Sequence, residues 1–225
     1  MVAPDLPGRG QDRTPLSSIS LDVCARCVCE AIDAQSEPAI LVGHSMAGAV
    51  ISQAGEYRSE KVRALVYICA YLLRDGETLA AIAQRDASSE ARQNVTMLFG
   101  GSAMFVRHEA IEHAFYGDCA REDAVLAESR LVPEATSVWF DAVHLTPQRF
   151  GRIPRFYIEC LRDRAISPSL QRQMCDATPC TRVYTLHTDH SPFLSDAPRL
   201  ADLLMLVSEA AGGVDSLRIP QTPSM

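Results

Sequence analysis

No excess of positive charge marks this sequence: 28 acidic side chains outnumber 21 basic ones, and the net charge is −7. A nucleic-acid binder usually carries a basic patch, so nucleic acid is not an expected partner. Long apolar runs are also lacking. None approaches the roughly 18 residues that a membrane helix needs. Met1 is followed by Val-Ala-Pro-Asp-Leu-Pro-Gly, which has neither the basic start nor the apolar stretch of a signal peptide. No membrane partner is expected, and a cytoplasmic location is the default. There is no internal repeat and no low-complexity tract. The eight cysteines form no paired framework, which fits a reducing compartment. Cys24, Cys27 and Cys29 crowd together, but no second CxxC or CxxH completes four ligands. They share a helical period with Leu21, Val28, Ala31 and Ile32 and read as small core residues on a helix. No metal site is expected.

What the sequence does hold is an alternation. Short, continuous apolar runs at 39–43, 62–70, 155–160 and 182–186 read as buried strands of the parallel kind. Helices are expected at 20–35, with Ser20 as N-cap, and at 46–57, 167–176 and 197–211. "MVAP" reads as the tail of a further strand, broken by Pro4. Strands alternating with helices imply an α/β fold with a mostly parallel, doubly wound sheet. The stretch 74–153 breaks the rhythm. It reads as several helices with Gly and Pro breaks, and it holds Met97, Phe99, Met104, Phe105, Phe115, Tyr116, Trp139 and Phe140. The expected division is therefore a core of 1–73 and 154–213, a helical lid of 74–153, and a flexible tail of 214–225.

Gly43-His44-Ser45-Met46-Ala47 lies between a buried strand and a helix, and Gly48 follows at once. A serine hydroxyl is a poor nucleophile at neutral pH and needs a base, which in turn needs a carboxylate to hold its tautomer. A strand–Gly-x-Ser-x-Gly–helix turn exposes such a serine at the carboxyl end of a sheet. Ala47 stands where the second glycine is usual. The partners should follow in the order Ser, acid, His. Asp163 follows the third strand and His190 the fourth, both where a parallel sheet places catalytic groups. Rivals are Glu159, within a strand, Asp189, which cannot reach around its own backbone to orient the ring, and His187. His44 is expected beside the site, and His108, His113 and His144 in the lid as surface or pocket-wall residues.

"VAPDLPGRG", "LVGHSMAG", "LVYICAYLLRDGET", "FYGDC", "YIECLRDRAISP" and "TDHSPFLSDAP" together resemble the α/β-hydrolase family of plant methylesterases of the salicylic-acid-binding type, hydroxynitrile lyases and their bacterial esterase relatives. The resemblance runs from residue 2 to about 211. It implies Ser45 as nucleophile, His190 as base, Asp163 as acid, and no cofactor. The lyases of the family carry a lysine close after the histidine, and usually Glu or Asp where His44 stands. Here Ser191-Pro192-Phe193 follows His190, and Lys61 is the only lysine. Ester hydrolysis is therefore expected, on a small hydrophobic or aromatic ester. The backbone N–H of Met46 is expected as an oxyanion donor, and His44, Phe115, Tyr116 and Trp139 as pocket walls. A homodimer is possible.

Only 44 residues precede Ser45, too few for the first strands and the histidine-glycine oxyanion loop of that family. A front missing through a mis-called start or a true truncation is therefore expected. The second case favours an inactive, ligand-binding product, and a poorly soluble or nearly inactive chain is the corresponding expectation.

Overall fold

The computed structural model describes residues 1–215 of the chain. After an irregular, largely exposed start, α1 (Leu21–Asp33) leads to β1 (Ala39–His44), α2 (Ala47–Tyr57) and β2 (Val62–Ile68). The chain then leaves this sheet through α3 (Leu79–Ala83), α4 (Glu90–Gln93), β3 (Val95–Leu98), β4 (Ala103–Val106), α5 (His108–Phe115), α6 (Arg121–Glu128), β5 (Glu134–Ala135) and α7 (Thr136–Phe140). It returns as β6 (Arg155–Cys160), α8 (Pro168–Ala177), β7 (Arg182–Leu186), α9 (Pro192–Ser195) and α10 (Ala197–Asp215).

The main sheet is parallel, in the order β1-β2-β6-β7. Its alternation separates two cores, as the period of two requires. Leu65 and Tyr67 of β2 pack with Tyr157 of β6 beneath α1, α2 and α8. Ala64, Val66 and Ile68 pack with Phe156 and Ile158 beneath α10. Helices on both faces explain why β2 and β6 are buried along nearly their whole length. Ser20 caps α1 as its position suggests, its hydroxyl accepting from the Val23 N–H. Cys24 and Cys29 are buried in that helix, and every cysteine is free.

Two expectations change. Residues 1–6 belong to no regular element, because no strand among the described residues pairs with "MVAP". The stretch 74–153 is not purely helical: β3, β4 and β5 form a small antiparallel sheet. Gly100 and Gly101, both at positive φ, let the chain turn between β3 and β4. The excursion closes on itself at its base. Gly76 donates to the Val143 carbonyl, Val143 donates to that of Glu77, and Thr78 bridges Ala142. Just beyond, the buried Glu56 of α2 accepts from the N–H and hydroxyl of Thr146 and from the Phe150 N–H, which ties the returning chain to the core. The expected tail lies outside the described residues from 216 onward, and α10 includes 214 and 215. Among the described residues, no helix is long and apolar enough to cross a membrane.

Candidate active site

The turn after β1 is tight enough to dictate its residues. Ser45 sits at φ 54°, a left-handed conformation that a non-glycine residue adopts at a cost. Its N–H donates to the Ile68 carbonyl, and its own carbonyl accepts from Gly48 and Tyr71, so backbone bonds hold the strained residue. A Cβ on Gly43 would come within 2.8 Å of the Ala47 carbonyl oxygen, and one on Gly48 within 2.3 Å of the Tyr71 carbonyl oxygen. Both glycines are therefore required. The glycine needed on the helical side is Gly48, which is why alanine is accepted at 47.

Asp163 and His190 meet beyond the ends of β6 and β7. The Nδ1 of His190 lies 2.8 Å from Oδ2 of Asp163. The two residues are 2% and 4% exposed, respectively, so the pair is shielded from water. The other oxygen of Asp163 accepts from the Ala165 N–H (2.7 Å) and the Ile166 N–H (2.9 Å). Gln171 of α8 donates to Oδ2 at 3.3 Å while exchanging bonds with the backbone of Cys160. With its carboxylate facing donors on every side, Asp163 can orient His190 through an Nδ1–H. His187, the rival base, is exposed, and Glu159 pairs instead with Arg172 at 2.6 Å.

His44 and Cys69 reach the backbone of the same histidine. The carbonyl oxygen of His190 can only accept, so the His44 Nε2 that lies 2.7 Å away carries the proton and donates it. The Cys69 thiol donates to that oxygen at 3.4 Å. The ligand atoms of His44, Cys69 and His190 lie within 4.8 Å of one another, a grouping that could hold a metal ion. Of these groups, His44 Nε2 and the Cys69 thiol bond the His190 carbonyl, and His190 Nδ1 bonds Asp163.

Burial pushes His44 down to about 3 from its ordinary 6.5, and the neighbouring charge of His190 adds to the shift. Between these values the folded protein holds fewer protons than the unfolded chain. The contribution of a neutral His44 to stability is therefore full above about pH 6.5 and is lost as the pH drops toward about 3. His44→Gln should flatten that acid-side loss while lowering stability at neutral pH. Thermal melts across the window read both effects, and an unchanged slope would show that His44 is not the group responsible.

Aromatic rings surround the histidine. His44 lies 4.5 Å from the His190 ring centre, Phe115 lies 5.5 Å from it, and Phe193 packs edge-on against His44. Tyr116 is buried with Ile111 and Ala124. Trp139 stands edge-on to Tyr71 and donates to Glu134 at 2.6 Å, and Glu134 also pairs with Arg9. Of the expected wall residues, the rings of His44 and Phe115 pack against the ring of His190, while Tyr116 packs against Phe115 and Trp139 against Tyr71. His108 and His113 lie on the surface beside Glu128 and Glu90. His144 lines a separate cavity of about 210 Å³ with Leu21, Asp22, Gln53, Tyr57 and Asp141. Sequence reading did not find Gln171, Tyr71 or Cys69. Gln171 left one trace, a polar residue beside Leu170 and Met174 on the buried side of α8.

The pattern of the alpha/beta hydrolase family matches residues 1–203. A pyrethroid hydrolase of Sphingobium wenxiniae is 30% identical over 217 residues, covering 92% of this chain and 77% of that protein. A methylesterase-like chloroplastic protein of Arabidopsis thaliana is 26% identical over 221 residues, and the chain spans 64% of its length and 92% of its own. The crystal structure of a pyrethroid hydrolase from Sphingobium faniae superposes with a TM-score of 0.83 at 28% identity, covering 92% of this chain and 85% of that one.

Proposed function

The chain belongs to the alpha/beta hydrolase family, and from that premise we propose that it hydrolyses carboxylic esters of small hydrophobic or aromatic molecules through an acyl-enzyme on Ser45. The observation that carries this reading is the buried pair of His190 and Asp163, 2.8 Å apart, at the same end of the sheet as the strained serine. Relatives named as methylesterase and pyrethroid hydrolase support the ester bond as the target.

The steps follow from the groups available. Ser45 Oγ attacks the ester carbonyl carbon, and His190 Nε2 takes its proton while Asp163 stabilises the ring as it becomes cationic. The carbonyl oxygen becomes an oxyanion, for which the Met46 backbone N–H, directly after the nucleophile, offers a donor. As the intermediate collapses, His190 returns the proton to the leaving alkoxide, and an acyl-serine remains. Water, deprotonated by His190, then attacks the acyl carbon, and the acid leaves as Ser45 recovers its proton. No redox step and no further reactant is needed.

The test is turnover of p-nitrophenyl and aryl methyl esters, with one equivalent of a fluorophosphonate as the block. Turnover that stops in proportion to labelling supports the reading. A folded chain that neither turns over nor labels overturns it. In the same reading the 74–153 segment acts as a lid over Ser45, with Phe115 as its closest wall. Phe115→Ala should change the ranking among aryl and alkyl esters by roughly tenfold, the scale at which a hydrophobic pocket discriminates. Trp139→Ala, which removes a packed ring and its bond to Glu134, should lower the melting temperature and leave the ranking nearly intact. A reversal of these two results would place the pocket wall at Trp139.

A further inference from the structure

Asp189 stands directly before the catalytic histidine, and the mechanism above does not use it. Its side chain is nonetheless almost fully buried, at 4% exposure. A carboxylate in such a place needs several donors. Oδ1 accepts from the Ser191 N–H (3.2 Å), next to His190, and from the hydroxyl of Ser195 (2.8 Å), the last residue of α9. Oδ2 turns the other way. It accepts from the Asp118 N–H at 3.0 Å and from the Cys119 thiol at 3.5 Å, more than sixty residues earlier in the chain.

Those two donors belong to the turn that follows α5, closed by the Cys119 N–H on the Tyr116 carbonyl. The last residue of α5 is Phe115, whose ring lies 5.5 Å from that of His190. Two other contacts fasten the same turn. Arg162, the neighbour of Asp163, reaches Asp118 at 2.9 Å and donates its own N–H to the Thr188 carbonyl. Leu194 of α9 packs against the cluster of Ile111, Tyr116 and Ala124. One carboxylate therefore spans the histidine loop and the segment that presents Phe115.

We propose that Asp189 is a positioning residue that latches the 116–119 turn onto the histidine loop and so fixes the Phe115 wall against His190. This inference rests on the hydrolase reading of the same site. The latch acts on which ester fits rather than on the proton transfer. Without it, the turn loses two of its bonds to the core, while Arg162 and Leu194 still fasten it and α5 keeps its packing through Ile111. A displacement of about 1 Å at such a wall can cost up to about a hundredfold for a substrate that needs it. A small ester that barely reaches the wall should feel far less.

The experiment compares the full chain with Asp189→Ala and Arg162→Ala in two assays. Hydrogen exchange read by mass spectrometry reports on the amides of 116–119 without any need for activity. KM and kcat for p-nitrophenyl acetate and hexanoate report on the wall. In Asp189→Ala the exchange at 116–119 should quicken, and the ratio of hexanoate KM to acetate KM should shift roughly tenfold. Arg162→Ala, a change at an exposed side chain, should move both readouts in the same direction by less, and it carries the test if Asp189→Ala fails to fold. Unchanged exchange at 116–119 overturns the latch. Faster exchange with an unchanged KM ratio overturns its role in substrate choice. A parent chain that a fluorophosphonate does not label at Ser45 overturns the hydrolase reading instead, and the exchange result still decides the latch.

Discussion

Ser45→Ala will eliminate both ester turnover and fluorophosphonate labelling while leaving the fold intact. Loss of the nucleophile from a serine protease triad costs about 10⁶ in kcat, and a loss of that order is expected here. The fold should survive because the hydroxyl is not what holds the turn. Backbone bonds do so, from the Ser45 N–H to Ile68 and from Gly48 and Tyr71 to the Ser45 carbonyl. Alanine meets the same positive φ as serine, so the strain is unchanged. Melting temperatures within a few degrees, together with complete loss of labelling, are the expected pair of results. Labelling of the alanine variant equal to that of the parent would move the nucleophile elsewhere. Ser191 and Ser195 are poor substitutes. Ser191 is buried, and the Ser195 hydroxyl is already given to Asp189.

How much of this was legible in the sequence depends on where each signal is stored. The central strands β2 and β6 are buried along nearly their whole length between helices, and such runs can be read one segment at a time, whereas the edge strand β7 exposes Arg182, Val183 and Thr185 and is not the buried strand its sequence suggests. The start of α1 was equally local, since a serine before an apolar-periodic stretch is itself the cap. The antiparallel β3, β4 and β5 were not legible. Their residues are mostly half-buried and their strands short, so neither alternation nor a continuous run survives, and only the Gly100-Gly101 turn marks them. At the site, the serine, acid and histidine could be proposed from order and context alone. The contacts that hold them could not. Gln171 works by meeting the Asp163 carboxylate and the Cys160 backbone across the loop between β6 and α8, and Asp189 by meeting the Asp118 N–H of a distant segment, and neither residue's own neighbours announce that.

Asp163→Asn should lose about 10⁴ in kcat, the cost of the wrong histidine tautomer in a serine protease, and the bonds around Asp163 show why it cannot adapt. Oδ1 faces two backbone N–H groups, from Ala165 and Ile166, at 2.7 and 2.9 Å. Those donors cannot move without moving the loop. An asparagine must therefore turn its carbonyl oxygen toward them and its NH₂ toward the position of Oδ2. There the amide meets the His190 Nδ1 and the Gln171 amide nitrogen. To satisfy the asparagine NH₂, Nδ1 must accept, which moves the ring proton to Nε2. A histidine protonated at Nε2 has no lone pair there and cannot take the serine proton. The opposite flip would set an NH₂ against two N–H groups in a buried place, at the cost of unsatisfied donors. Either way the base is lost while the backbone is kept. Glu159→Gln is the comparison. Glu159 is buried in β6 and pairs with Arg172, away from His190, so its loss should lower stability and leave kcat within a few-fold. Measured kcat for both variants at matched folded concentration separates the two residues. An inactive Glu159→Gln beside an active Asp163→Asn would reverse the assignment of the acid.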